Sequence, residues 1–522
     1  EDNLLEDGTF DSDAWKGTPE ISEEGRSGTK GVKFVSDTSN ADDQQGMWPT
    51  EPQDFITVTP GQEFVVEMDA RCEKVGVRHG RPVVGLLFSA PADAEEAEYT
   101  MSTYFETLDG VVVEVPEQSR LKLLPPMKNV QPETARISVS YPALRFESPE
   151  VAKAYADNCH KSGIMYIFGH FTSNIIPDLH EMGHRIMLGT HWQVGAPVDE
   201  WADFLKEHRE LQAVNFKGHR IDRVFCPTWM LQEGGEVLDS LREELLEQIN
   251  AAPYYGLYWD LEQAVIDPPT YCTCDRCMAA FREFADIPED TELTPDILLE
   301  QYPEQWTDFR CHQNAEFARR MREMVKSADR PVEFSLYSGY QSQRTREHYG
   351  VDWRLMDPIL DIALGGYAYN HRQIKDTVRA LENTPFKGGE MWYLHYRNDA
   401  RPAPKMEIWC NRLLRQYLNS GCNGCHIWRL SAMDGGSFYQ TSRATAYMQQ
   451  YAEYFKHEQR CDEKVQVDGV TQGNWVAFEH DGEILVVLMS FQSEPLEAAV
   501  TVGDKTFDRT IEPYGTDILL AE

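Results

Sequence analysis

Up to about residue 141 the chain runs in short stretches in which apolar positions alternate with polar ones or stand together, as at 55–58, 63–68, 83–88 and 110–115, with Gly, Pro and Asp between them. A period of two bounded by turn formers is a strand pattern, and several such strands in succession predict a β-sandwich over 1–141. Beyond Ser140 the pattern changes to apolar runs alternating with stretches whose apolar residues recur three or four apart. That succession of strand and amphipathic helix predicts parallel βα units.

Eight strands are predicted, at 164–168, 185–189, 223–228, 255–262, 332–337, 362–367, 387–392 and 424–429, with helices between them such as 151–160, 200–211, 236–250, 312–326, 372–382 and 407–418. Eight units over 142–455 fit a closed (β/α)8 TIM barrel. An open doubly wound sheet is the rival arrangement, but no Gly-rich phosphate loop opens any of these helices. From about Lys456 short strands return, at 475–479, 484–489, 498–502 and 518–520, and predict a small C-terminal β-sandwich over 456–522 that stabilises the barrel. The fold class is therefore α/β, a TIM barrel between two β domains.

Length and composition agree with several domains: 522 residues, 41% hydrophobic and 26% charged. The charge is lopsided, 86 acidic residues against 49 Lys and Arg giving −37. Such a field opposes nucleic acid and anionic membrane surfaces, and an anionic polymer would need a locally basic cleft. No apolar run reaches the 18 residues of a membrane span. The chain begins at Glu1 without Met, which suggests a trimmed targeting segment and hence secretion or a periplasmic location.

In a barrel, chemistry collects where strands end. The fourth predicted strand closes on Tyr258-Trp259-Asp260-Leu261-Glu262, where alternation puts Asp260 and Glu262 on one face, and the seventh closes on Gly389-Glu390-Met391-Trp392. Carboxylates on strands four and seven face each other across the barrel mouth. Cleavage of a glycosidic bond needs such a pair, one acid kept protonated for the leaving oxygen and one ionised to attack or stabilise the anomeric carbon. Aromatic and hydrogen-bonding groups recur at the same ends: His170, His191, Trp192, Trp229, Tyr337, Tyr340, Tyr369, Trp392, His395, Trp428 and Arg429. Flat rings and forked donors suit the apolar faces and polar edges of sugars, so these residues are predicted to line a carbohydrate cleft.

Cys272-x-Cys274-x-x-Cys277 starts ten residues after Glu262. Three thiolates this close hold a tetrahedral Zn2+ once a fourth ligand joins; Cys226 is the candidate, with Cys311 and His312 in reserve, and free thiols or a single disulfide as the alternative. A four-thiolate site is closed and therefore structural, so no cofactor is expected in catalysis.

The strand-four Glu followed by C-x-C-x-x-C, with a further Cys upstream, resembles the glycoside hydrolase family 42 β-galactosidases, members of the clan A retaining barrels. The resemblance implies Glu262 as acid/base, Glu390 as nucleophile, and Cys226, Cys272, Cys274 and Cys277 as zinc ligands. Where the clan places Asn before the strand-four Glu, this chain has Leu261. At the N-terminus, Asn3-Leu4, then Gly8-Thr9-Phe10 and Trp15, resemble the start of jelly-roll carbohydrate-binding modules.

Two other readings stay open. Trp259-Asp260-x-Glu262 also looks like the strand-four signature of retaining α-glycosidases, in which Asp260 is the nucleophile and Glu390 or Asp434 the acid, with an algal fucan as a candidate polymer. A non-catalytic carbohydrate-binding protein on a degenerate barrel is the second.

Overall fold

The computed structural model describes residues 124–140, 149–169, 175–192, 194–262, 272–368, 370–392, 406–428, 433 and 435–521, together with the backbone of ten short strands before residue 123. The chain divides into two units: Glu1–Met127 with Phe146–Tyr155 and His395–Arg401, and the remainder. In the first unit the ten strands pair two by two, four pairs antiparallel and one parallel. The residues 3–10 that carry the resemblance to a sugar-binding module lie outside the described residues.

The second unit is built on a closed barrel of eight parallel strands in chain order: β1 Arg136–Ser140, β2 Ile164–Gly169, β3 Arg185–Thr190, β4 Gly256–Asp260, β5 Glu333–Gly339, β6 Ile362–Gly366, β7 Phe386–Trp392 and β8 Gly424–Trp428. β8 pairs back onto β1, with Ile137 opposite Cys425 and Ser140 opposite Trp428, which closes the cylinder. Their near-continuous burial, complete along β4 and β6, is what a sheet covered by helices on one side and by its own core on the other requires.

Two expectations are corrected. The predicted third strand, 223–228, is not in the barrel: Arg220–Phe225 pairs antiparallel with Gln212–Val214 in a surface hairpin, and helix Pro227–Gln232 follows at once. Arg220, Asp222 and Arg223 are exposed there, and a barrel wall has no place for three such charges. The missing strand is β1, Arg136–Ser140, which falls inside the range 1–141 predicted for the N-terminal β-sandwich. Its Ile137, Ser138, Val139 and Ser140 are wholly buried, so the barrel begins before residue 142. Because one strand leaves and one enters upstream, the strands that carry Asp260 and Glu390 are still the fourth and the seventh.

Tyr166, Phe168, Met187, Tyr258, Tyr337, Ile362, Leu364 and Phe386 fill the barrel. His426 of β8 lies among them, its Nδ1 2.8 Å from Ser138 Oγ and its Nε2 2.5 Å from Ser140 Oγ, so both ring nitrogens are engaged without water. Burial holds this imidazole neutral, with its pKa down at about 3.

The C-terminal residues form two three-stranded antiparallel sheets. β9 Val465–Asp468, β12 Leu496–Val502 and β13 Lys505–Ile511 make one, and β10 Trp475–His480, β11 Glu483–Met489 and β14 Thr516–Ala521 the other. Val465, Val500 and Ile511 pack against Ala477, Val486 and Leu488 to make a sandwich core. It is tied to the helix after β7, Trp409–Ser420, by the buried Asn411, whose Nδ2 donates to the carbonyls of Ser490, Tyr514 and Gly515 at 2.7, 3.1 and 2.9 Å.

Candidate active site

β4, β5, β6 and β7 bring one side chain each, or the backbone just past their ends, to a common point. Glu390, two residues before the end of β7, is 4% exposed. Its Oε1 accepts from the Tyr337 hydroxyl of β5 at 2.7 Å and its Oε2 from the backbone N–H of Tyr367, just after β6, at 2.9 Å. Glu262 lies two residues past β4 and is less enclosed; its Oε1 accepts from the Tyr367 hydroxyl at 2.5 Å. Tyr367 thus holds one carboxylate with its main chain and the other with its phenol.

Burial pushes the Glu262 carboxyl above the usual range, and the hydroxyls of Tyr367 and Tyr337 pull it partly back. The Tyr337 hydroxyl donates to Glu390 and the Tyr367 hydroxyl to Glu262, and the two phenol rings lie 6.3 Å apart between centroids. Both phenols are driven upward, first by burial and then by the carboxylates beside them, so they act as donors throughout the physiological range.

Tyr367 pays its part in backbone strain: its φ is +58°, a left-handed conformation rare for an aromatic residue. Gly366 before it has no room for a side chain, since a Cβ there would stand 2.2 Å from the Tyr337 hydroxyl. The Tyr349 ring lies parallel to that of Tyr367, 6.0 Å between centroids, and backs it from outside.

Asp260, the last residue of β4, is 2% exposed, with the half-exposed His191 beyond the end of β3 at 3.4 Å from its Oδ2. Trp192 follows His191, and its carbonyl accepts from Trp259 Nε1 at 2.8 Å. Two predicted cleft residues, Trp229 and Tyr337, are buried. Trp229, in the helix after the surface hairpin, stacks on Phe225 at the hairpin's end, and Tyr337 donates to Glu390. Tyr340 receives a bond from Gln373 at its hydroxyl, and Trp428 ends β8 half-buried. His170, Tyr369, His395, Arg429 and Asp434, and the side chain of Trp392, lie outside the described residues. Tyr367 was expected only as the end of a strand; Gly365-Gly366-Tyr367 at a strand end marks it in the sequence, but not its double role.

The cysteines meet as expected, although Cys226 arrives as the N-cap of helix Pro227–Gln232 and not from a barrel strand. The sulfurs of Cys226, Cys272, Cys274 and Cys277 all lie within 4.8 Å of one another. Cys226 is 3.4 Å from Cys274 and 3.5 Å from Cys277, and Cys272 is 3.3 Å from Cys274. None is disulfide-bonded, and the edges approach the roughly 3.8 Å of a tetrahedron with metal–sulfur bonds of about 2.3 Å. The second layer suits a doubly negative centre. Arg310 Nη1 is 3.8 Å from Cys277 Sγ, Thr228 Oγ1 is 3.1 Å from it, and the Trp229 N–H points at Cys226 Sγ. Cys311 and His312, the reserve ligands, are elsewhere, Cys311 near the Arg346 carbonyl and His312 against Phe284.

No family model matches the chain, and no curated protein matches it in sequence. Solved structures that resemble it in part include a β-galactosidase from the psychrophilic Marinomonas ef1, 12% identical over 61% of this chain and 60% of that one, with a TM-score of 0.40. An α-galactosidase from Geobacillus stearothermophilus is 10% identical over 74% and 55%, TM-score 0.43. The catalytic domain of a β-amylase from Paenibacillus polymyxa is 11% identical over 62% and 100%, TM-score 0.42. The chain thus spans less than two thirds of the length of the two galactosidases.

Proposed function

We propose that this chain is a glycoside hydrolase of the retaining kind, with Glu262 as acid/base and Glu390 as nucleophile. One observation carries the reading: Tyr367 holds Glu390 of β7 with its amide and Glu262, just past β4, with its phenol, so that two carboxyls meet at the ends of strands four and seven, the pair that cleavage with retention uses. In the first step Glu262, whose carboxyl burial shifts toward the protonated form, gives its proton to the glycosidic oxygen while a Glu390 oxygen bonds to the anomeric carbon and the leaving sugar departs. In the second, ionised Glu262 takes a proton from water, the water oxygen displaces Glu390 from that carbon, and the carboxylate and acid are restored. Tyr337 and Tyr367 orient Glu390 through both of its oxygens.

The reading with Asp260 as nucleophile is the second one: its Oδ2 lies 3.4 Å from His191, whereas both oxygens of Glu390 are held by donors from Tyr337 and Tyr367 beside Glu262. His191, Trp192 and Trp428 are proposed sugar contacts. The four cysteines are proposed to hold one structural zinc that fixes the hairpin and the helix Asp275–Phe284 behind Glu262, outside the reaction. A sugar-binding role for the N-terminal strands and export from the cell, where polysaccharides lie, belong to the same proposal.

The test is a panel of aryl glycosides and polysaccharides with the parent, Glu390→Gln and Glu262→Gln. Glu390→Gln is expected to lose at least about a thousandfold in kcat. Glu262→Gln is expected to keep activity on substrates with good leaving groups and to regain turnover with azide, giving a β-glycosyl azide from a β-glycoside. Parental rates in both variants would remove the assignment, and binding without turnover in all three would favour the carbohydrate-binding alternative.

A further inference from the structure

In a chain of net charge −37, many cations of the barrel find carboxylates: Arg319 and Arg320 hold Glu316, and Arg346 and Arg354 hold Asp352, while others, such as Arg330, give their N–H groups to backbone carbonyls. Arg372, Lys375 and Arg415 are different. Among the described residues none of them has a carboxylate within 4.0 Å. They meet in one place, the seam between helix His371–Ala380, the neighbouring helix Trp409–Ser420 and the turn before β10 of the terminal sandwich.

The geometry is specific. His371, Lys375 and Arg379 fall four residues apart on one helix face. The ring of His371 abuts Gly473, where a Cβ would lie 3.6 Å from it. The Gly473 carbonyl accepts from Asn419 at 3.2 Å, and Arg415 gives an N–H to Asn474 Oδ1 at 3.2 Å while its guanidinium lies 4.4 Å from the Phe491 ring. Arg460 closes the lower end on Asn419. The acids at hand are already engaged or peripheral: Asp376 with Arg379, Asp462 with Arg460, and Glu458 beside His457. Burial and the charges of Arg415, Arg372, Arg460 and Lys375 push the His371 pKa down to about 4, as a locally positive field would.

A half-buried guanidinium among other cations, with no carboxylate to meet it, is unfavourable until an anion is supplied. The seam also starts beside the reaction centre. Asn370 caps the helix three residues after Tyr367, and five residues of chain put Arg372 no more than about 18 Å from it. We propose that this seam binds the sulfate or carboxylate groups of an acidic polysaccharide, and that the substrate of the site above it is therefore an anionic glycan. The anion site stands on its own residues; calling its ligand the substrate rests on the hydrolase reading.

The experiment is affinity electrophoresis of the full chain in gels holding dextran sulfate, polygalacturonate or neutral dextran, with inorganic sulfate as competitor. The variants are Arg372→Glu with Lys375→Glu, Arg415→Gln, Lys217→Glu as a distant charge reversal, and Glu390→Gln. The parent is expected to be retarded by at least one charged polymer and not by dextran, less so at high salt. The double reversal and Arg415→Gln are expected to bind about tenfold more weakly at unchanged melting temperature, with Lys217→Glu and Glu390→Gln like the parent. Equal retardation by dextran, none by either charged polymer, or seam variants that match Lys217→Glu would overturn the proposal, as would binding of inorganic sulfate alone. Retardation of a polymer that the parent never cleaves would leave the anion site and remove the substrate assignment.

Discussion

The Tyr367 hydroxyl donates to Glu262 at 2.5 Å from a residue whose own backbone is left-handed. That bond favours the ionised carboxylate, and burial opposes it with the larger effect. The proposed acid step needs Glu262 protonated, so activity is expected to fall as pH rises through its raised pKa. Tyr367→Phe removes the donor and lets burial act alone. The basic limb of kcat/KM is expected to move to higher pH, with kcat down about tenfold as the carboxylate loses its anchor. A pH profile of the two proteins checks this, and an unmoved limb would dissociate Tyr367 from the titration.

Gly366 supplies a second test, because the space of its missing side chain is occupied by the Tyr337 hydroxyl. Gly366→Ala is expected to displace that hydroxyl from Glu390 and to lower kcat by at least about tenfold, with a stability loss of about 1 to 3 kcal/mol from overpacking. Kinetics and urea melts separate the two effects. Parental kcat would mean that the Tyr337–Glu390 bond does not matter to turnover.

The thiolate cluster predicts one zinc per chain by elemental analysis, lost together with several degrees of melting temperature on strong chelation. Cys277→Ser, at the sulfur that faces Arg310 and Thr228, is expected to reproduce the loss. A folded parent free of metal would exclude the site.

Buried histidines set the acid limit of stability. The pKa values of His426 and His184 are held down at about 3 and about 4, chiefly by burial, against about 6.5 in an unfolded chain. Between those values the unfolded chain binds the protons and the folded one does not. Stability is therefore expected to be complete above pH 6.5 and to fall with acidification by about 1.4 kcal/mol per pH unit for each histidine. Urea melts at a series of pH values check the slope, and His426→Gln is expected to reduce it.

Much of this was legible in the chain. The βα rhythm revealed the barrel because buried strands and amphipathic helices differ in period, and Asp260, Glu262 and Glu390 stood out as carboxylates at strand ends. Residues 223–228 misled because Val224, Phe225 and Cys226 form an apolar run; the charges at 220, 222 and 223 were the better guide. Arg136–Ser140 was misplaced because an alternating Arg-Ile-Ser-Val-Ser reads as a half-exposed strand, and only His426, from a distant strand, explains why Ser138 and Ser140 can face inward. Trp229 was placed at a strand end for the same reason that 223–228 looked like a strand, and it lies in helix Pro227–Gln232. The role of Tyr367 needed coordinates, since no spacing reveals that a residue's amide and phenol serve different acids.

Asn411 also decides how this protein can be taken apart. Its amide is the pin between the helix after β7 and three carbonyls of the terminal sheets. A chain cut before β9 would leave that pin without acceptors inside a newly bared apolar wall. The residues from Val465 onward are thus no detachable appendage but masonry of the barrel.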